Sequence, residues 1–142
     1  MSEVHHQAHL DAPVRSVWGL IAEPRRYRDW FPRVLEIQGE RFEEGVEFVQ
    51  VFNQPLVGRT EAHFLIDQVN ELREIRMHCT TSGLFIHWQL TDAQGGTFLD
   101  AGFGLDPVRR LDRLFDATFA RRFLDRWLTE AVDGLRRVAS KA

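Results

Sequence analysis

Between Pro32 and Asp106 the chain passes through six stretches of alternating apolar and polar residues, roughly 33 to 38, 45 to 53, 58 to 69, 72 to 80, 84 to 91 and 97 to 105. Alternation of this kind is strand periodicity, because successive side chains of a strand point to opposite faces. The turns between the stretches are short and mostly carry glycine. Parallel neighbours need long crossover connections, and this segment has no room for them. The stretches therefore predict an antiparallel meander.

Two-residue turns at Asn70-Glu71 and Ser82-Gly83 test the register. They set Phe64 opposite Met77, Ile66 opposite Ile75, Met77 opposite Trp88, Cys79 opposite Ile86 and Ile75 opposite Leu90. A four-residue loop over 93 to 96 adds Trp88 against Ala101 and Ile86 against Phe103, so one face of four strands is apolar throughout.

Residues 3 to 10 alternate in the same way, placing His6 with Val4, Ala8 and Leu10 on the inward row. Asp11 and Pro13 then offer an N-cap and an early helical proline, with Val14, Val17, Trp18 and Ile21 at helical spacing. A second short helix fits Pro24 to Trp30, closed by Pro32. From Asp106 and Pro107 onward a wide apolar stripe runs through Leu111, Leu114, Phe115, Phe119, Phe123, Trp127, Leu128, Ala131, Leu135 and Val138. A helix from Pro107 to about Ser140 would be about 48 Å long and must lie across the sheet. Gly134 inside it costs about 1 kcal/mol relative to alanine.

The 142 residues, 44% of them hydrophobic, suit one domain over 1 to 142 with a single core. One cysteine, Cys79, allows no intrachain disulfide, and the N-terminus has no basic-then-apolar leader, so a cytoplasmic setting is expected. No apolar run is long enough for a transmembrane helix. A formal charge of −3 argues against nucleic acid as a partner. Eight arginines crowd the last helix, but Asp112, Asp116, Asp125, Glu130 and Asp133 interleave with them at pair-forming spacings.

The succession of strand, two short helices, six-stranded meander and long C-terminal helix resembles the helix-grip fold of the START-like (SRPBCC) superfamily. Ala12-Pro13, Val17-Trp18, Leu20-Ile21, Tyr27 and Trp30-Phe31-Pro32 are similar to its entry motif. The hairpin over 85 to 90 and 95 to 99 and the arginine-rich helix after Pro107 are similar to its later elements, and the polyketide cyclase/dehydrase branch is the nearest in character. The resemblance implies an α+β fold in which a curved seven-stranded antiparallel sheet wraps around a long C-terminal helix. It also implies an apolar cavity between sheet and helix that takes a hydrophobic or amphipathic small molecule such as a lipid, quinone or polyketide. The lining expected here is Phe52, Phe64, Met77, Trp88 and Phe103 from the sheet and Phe115, Phe119 and Phe123 from the helix, with Trp30 and Phe31 near a mouth. The same aromatics would also serve to fill a solid core.

No nucleophile elbow, phosphate loop or metalloprotease helix occurs, and no cofactor is expected. Cys79 lies on the apolar face, as a buried hydrophobe does. Glu43 and Glu44 are adjacent in a turn, where carboxylates rarely converge. His6 is the one inward imidazole and the only candidate proton carrier, with a plain core histidine as the alternative. The assumed register lines up His63, His78 and His87 on the outer face, where neighbours at about 5 Å could share a metal ion or simply be solvated. Gln50, Thr60 and Thr118 are candidate polar contacts inside. Ligand binding or transport is the leading expectation. A cyclase, aromatase or dehydratase using the same cavity, and a protein-interaction module, are the alternatives, and monomer and homodimer are equally compatible.

Overall fold

The computed structural model describes residues 2–54, 58–105 and 117–141. Strand β1 (Ser2–Leu10) leads into helix α1 (Val14–Ala22), a single 3-10 turn (Pro24–Arg26) and the short helix α2 (Tyr27–Trp30). Six strands follow: β2 (Val34–Gln38), β3 (Glu47–Gln54), β4 (Gly58–Asn70), β5 (Glu74–Cys79), β6 (Leu84–Ala93) and β7 (Gly96–Leu105). Helix α3 (Ala117–Ala139) completes the order. All seven strands form one antiparallel sheet in the order β1-β7-β6-β5-β4-β3-β2. The expected start of the last helix at Asp106 and Pro107 falls outside the described residues.

The inward face is the predicted one. Phe64, Ile66, Ile75, Met77, Ile86, Trp88, Ala101 and Phe103 are all buried together in the core. The cross-strand partners differ from expectation in two hairpins. Phe64 pairs with Cys79 and Ile66 with Met77, while Ile75 pairs with Trp88 and Met77 with Ile86. The β4–β5 connection is a three-residue turn, with Leu72 in the left-handed region at φ 64°, and a bulge between Ile66 and Gln68 absorbs the odd residue. The β5–β6 connection takes four residues, 80 to 83, instead of two. Each hairpin is thus displaced by two residues over its main ladder. A shift of two restores every side chain to its own face. In the β6–β7 hairpin Trp88 meets Ala101 and Ile86 meets Phe103, as predicted. Its turn is tightened to Gln94-Gly95, with φ of 51° and 88°, the signature of a type I′ hairpin turn.

Helix α1 begins at Val14 with Pro13 at the N-cap and no side-chain cap, so Asp11 does not cap it as expected. Its C-terminal end is closed by side chains from further along. Tyr27 donates its hydroxyl to the Ile21 carbonyl at 2.6 Å, and Trp30 Nε1 donates to the Leu20 carbonyl at 2.9 Å. These are carbonyls that the last turn of a helix leaves without an internal partner. The aromatic residues between α1 and β2 therefore fix the angle at which α1 leaves the sheet.

Candidate functional site

Phe31 stands at the centre of a layer of rings between the sheet and α3. Its ring centroid lies 6.5 Å from Phe52 and Trp88, 6.2 Å from Phe103 and 5.7 Å from Trp127. Trp127, projecting from α3, also meets Phe103 at 5.1 Å and Phe52 at 6.0 Å. Such tilted and edge-on pairs are the favoured geometry for aromatic contact. Trp30, Phe31, Phe52, Phe64, Met77, Trp88 and Phe103 are all buried. Trp30 and Phe31 belong to this packed layer and not to a mouth. Trp30 has its indole N–H committed to α1, and its ring packs edge-on against Trp88. Phe123 departs from expectation: it is 51% exposed on α3 and meets the layer through Trp127 at 6.0 Å. The side chains of Phe115, Phe119 and Thr118 lie outside the described residues.

Polar groups are scarce in this interior. Gln50 on β3 follows the inward alternation of Phe48 and Phe52, between Ile37 of β2 and Ala62 of β4. It is fully buried, and neither its Oε1 nor its Nε2 has a hydrogen-bond partner among the described residues. The indole N–H groups of Trp88 and Trp127 are likewise buried without a partner among the described residues. Thr97, the other buried polar residue among those described, is satisfied by the Ala12 carbonyl at 2.7 Å. Thr60 is half-buried and turns its hydroxyl to the Gly58 carbonyl at 3.3 Å. Burial drives the Tyr27 phenol far above its ordinary pKa, so it stays protonated. The sequence pointed to Gln50. It did not single out Trp127, which looked like one more member of the helix stripe.

His6 faces α3 from β1, as the alternation required. Its Nε2 lies 2.8 Å from Asp125 Oδ1 and 3.5 Å from Thr129 Oγ1. Asp125 and Thr129 are one helical turn apart, and no local signal links them to a residue 119 and 123 positions earlier. The imidazole fastens the first strand to the last helix. His6→Gln is expected to lower stability by no more than about 1 kcal/mol, since the pair is partly solvated. Thermal unfolding would show a midpoint lower by a few degrees. A drop far beyond that would mean the imidazole holds up more of the core than this contact.

The three outer histidines are not brought together. His63 pairs with Val49, His78 with Leu65 and Phe85, and His87 with Arg76 and Gly102. The two-residue displacement of both hairpins dissolves the row. Each of the latter two instead has its own carboxylate, His78 with Asp67 at 2.8 Å and His87 with Glu74 at 2.8 Å. Hydrogen bonds from His87 and Asn70 hold the Glu74 carboxyl below the usual range despite some burial. Among the described residues no group of three or more metal-ligating side chains is arranged to hold an ion.

Cys79 is buried, and burial pushes its thiol up, but hydrogen bonds with Ser82 and Thr81 outweigh this and leave its pKa lowered. Two open concavities lie elsewhere. A groove of about 960 Å³ runs between α1, the β2–β3 loop and the β4–β5 turn, past Trp18, Phe42 and Glu44. Another of about 540 Å³ lies between β1 and α3, beside His5, Arg121 and Asp125. None of the expected lining residues whose side chains are described borders either groove. No helix among the described residues is long and apolar enough to cross a membrane.

Comparison with known proteins places this architecture. The START superfamily protein of Mycobacterium smegmatis superposes with a TM-score of 0.78 at 8% identity, over 98% of this chain and 97% of that one. Protein BH1534 of Bacillus halodurans gives 0.76 at 16% identity, over 98% and 97%. DynU16, from the dynemicin biosynthetic locus, gives 0.69 at 20% identity, over 96% of this chain and 46% of its own. At these identities the likeness is one of fold. No curated protein sequence matches the chain significantly. A family model described as polyketide cyclase / dehydrase and lipid transport matches residues 1–140, and with the helix-grip fold in place the chain belongs to that family.

Proposed function

We propose that the protein binds a hydrophobic or amphipathic small molecule between the inner face of the sheet and α3. The observation that carries this reading is Gln50, a fully buried amide with both polar atoms unpartnered. Leaving a buried amide unsatisfied costs about 1–3 kcal/mol, a cost that a ligand's own polar group removes on binding. The rings of Phe31, Phe52, Phe103 and Trp127, packed against one another between the sheet and α3, supply the apolar contact. At about 25 cal/mol per Å² of apolar surface removed from water, a two-ring or three-ring body reaches micromolar affinity without an ionic contact. Family membership supports the same class of ligand, since lipid transport and polyketide chemistry both handle apolar carbon skeletons.

Binding or transport is put ahead of turnover because the groups that carry the reading, Gln50 and the aromatic rings, offer hydrogen bonds and apolar contact but no acid or base. His6, joined to Asp125, belongs to the contact between β1 and α3. Native mass spectrometry of the protein as purified, with denaturing extraction of any adduct, tests the reading. A stoichiometric apolar compound is the expected result. An unliganded protein whose unfolding midpoint does not move across a panel of lipids, quinones and polycyclic aromatics would overturn it.

A further inference from the structure

We infer that Gln50 and Trp127 make the interior site selective for an uncharged headgroup that offers a hydrogen-bond acceptor and a donor side by side, such as a carboxamide or a hydroxyketone. The inference rests on the interior-binding reading above and specifies what that site accepts. Gln50 supplies two N–H donors and one acceptor oxygen, all unused. Trp127 adds one indole N–H, also unused, on a ring 6.0 Å from that of Phe52, the next inward residue after Gln50. A primary amide, or a hydroxyl beside a carbonyl, can accept from Gln50 Nε2 and donate to Gln50 Oε1 at once, leaving a lone pair for Trp127.

Charge decides what is turned away. The only buried polar residues among those described are Gln50 and Thr97, and Thr97 is already bonded to the Ala12 carbonyl. No ionised side chain among the described residues is buried there. A carboxylate brought against Gln50 would be an unpaired charge in an apolar surround, and it would leave Oε1 facing a second acceptor. An ammonium would find one acceptor and two sets of opposed donors. Folding alone favours leucine or methionine at position 50, so the unpaired amide has its use in reading a ligand.

Three probes of nearly equal shape separate the possibilities: 2-naphthamide, 2-naphthoate, which is ionised near neutral pH, and 2-methylnaphthalene. Binding is read by tryptophan fluorescence and by the shift of the unfolding midpoint. Wild type is expected to bind 2-naphthamide at least about tenfold more tightly than 2-naphthoate. Gln50→Leu removes the advantage of 2-naphthamide over 2-methylnaphthalene without weakening the latter, and Trp127→Phe reduces that advantage several-fold. If 2-methylnaphthalene binds but 2-naphthoate binds as well as 2-naphthamide, or Gln50→Leu leaves the amide's advantage intact, the selectivity is overturned while the interior site stands. If none of the three binds, the interior site fails and the selectivity fails with it.

Discussion

Replacing Gly134 by alanine lowers the stability of the folded state by about 2 kcal/mol, although alanine is the better helix former by about 1 kcal/mol. A methyl group at position 134 would overlap the backbone carbonyl oxygen of Trp30 and come within 3.2 Å of its carbonyl carbon. That carbonyl cannot swing aside. Trp30 is anchored through Nε1 to Leu20 and packed edge-on against Trp88 at 5.4 Å, so α2 and α1 would have to move with it. The alternative is for α3 to lift away, parting Trp127 from Phe31 and Phe103. Either way the crossing of α2 and α3, where helix backbone meets helix backbone, absorbs the displaced volume poorly. Chemical denaturation of Gly134→Ala beside an exposed control on the same helix, Asp133→Ala, measures this directly. A midpoint equal to or above wild type for Gly134→Ala would show that the two helices separate freely at this crossing.

Gln50→Leu moves stability the other way, raising it by about 1–3 kcal/mol. The side chains are close in volume, and leucine removes two buried polar atoms that have no partner. In a chain of this size that corresponds to a thermal midpoint higher by roughly 3–10 °C. Gln50→Glu is the mirror experiment. Burial without a cation raises the folded-state pKa of the new carboxyl above its unfolded value, so the variant is destabilised progressively as pH rises through the range between the two. A Gln50→Leu protein no more stable than wild type would mean that Gln50 is satisfied in solution, and the site would lose its defining feature. A gain in stability coupled to a loss of ligand discrimination is the trade expected of a binding residue held at the expense of the core.

The sequence was a good guide to faces and a poorer guide to partners. Phe64, Met77, Trp88 and Phe103 lie inward because side-chain direction in a strand has period two, a local property that any even displacement preserves. Their actual neighbours depended on turns. Leu72 adopting a left-handed conformation and the bulge near Asp67 carry no residue signature, and together with the longer β5–β6 connection they separated His63, His78 and His87. The aromatic run Tyr27, Trp30 and Phe31 was legible as an apolar cluster. That Tyr27 and Trp30 close the end of α1 became clear only when the freed carbonyls of Leu20 and Ile21 could be matched with donors.

By itself, then, the sequence determined the order of elements, the antiparallel meander, the inward row of each strand and the amphipathic last helix, because all of these follow from periodicity and turn chemistry between near neighbours. Only the tertiary structure decided which polar groups meet and which remain unmet. His6 gains Asp125 across 119 positions. Gln50 gains no hydrogen-bond partner among the described residues, and Gly134 turns from a weak point in a helix into the place where α3 rests on the backbone of Trp30. Pairing and close approach between distant segments are set by the sum of many packing contacts, and no single residue's propensity contains that sum.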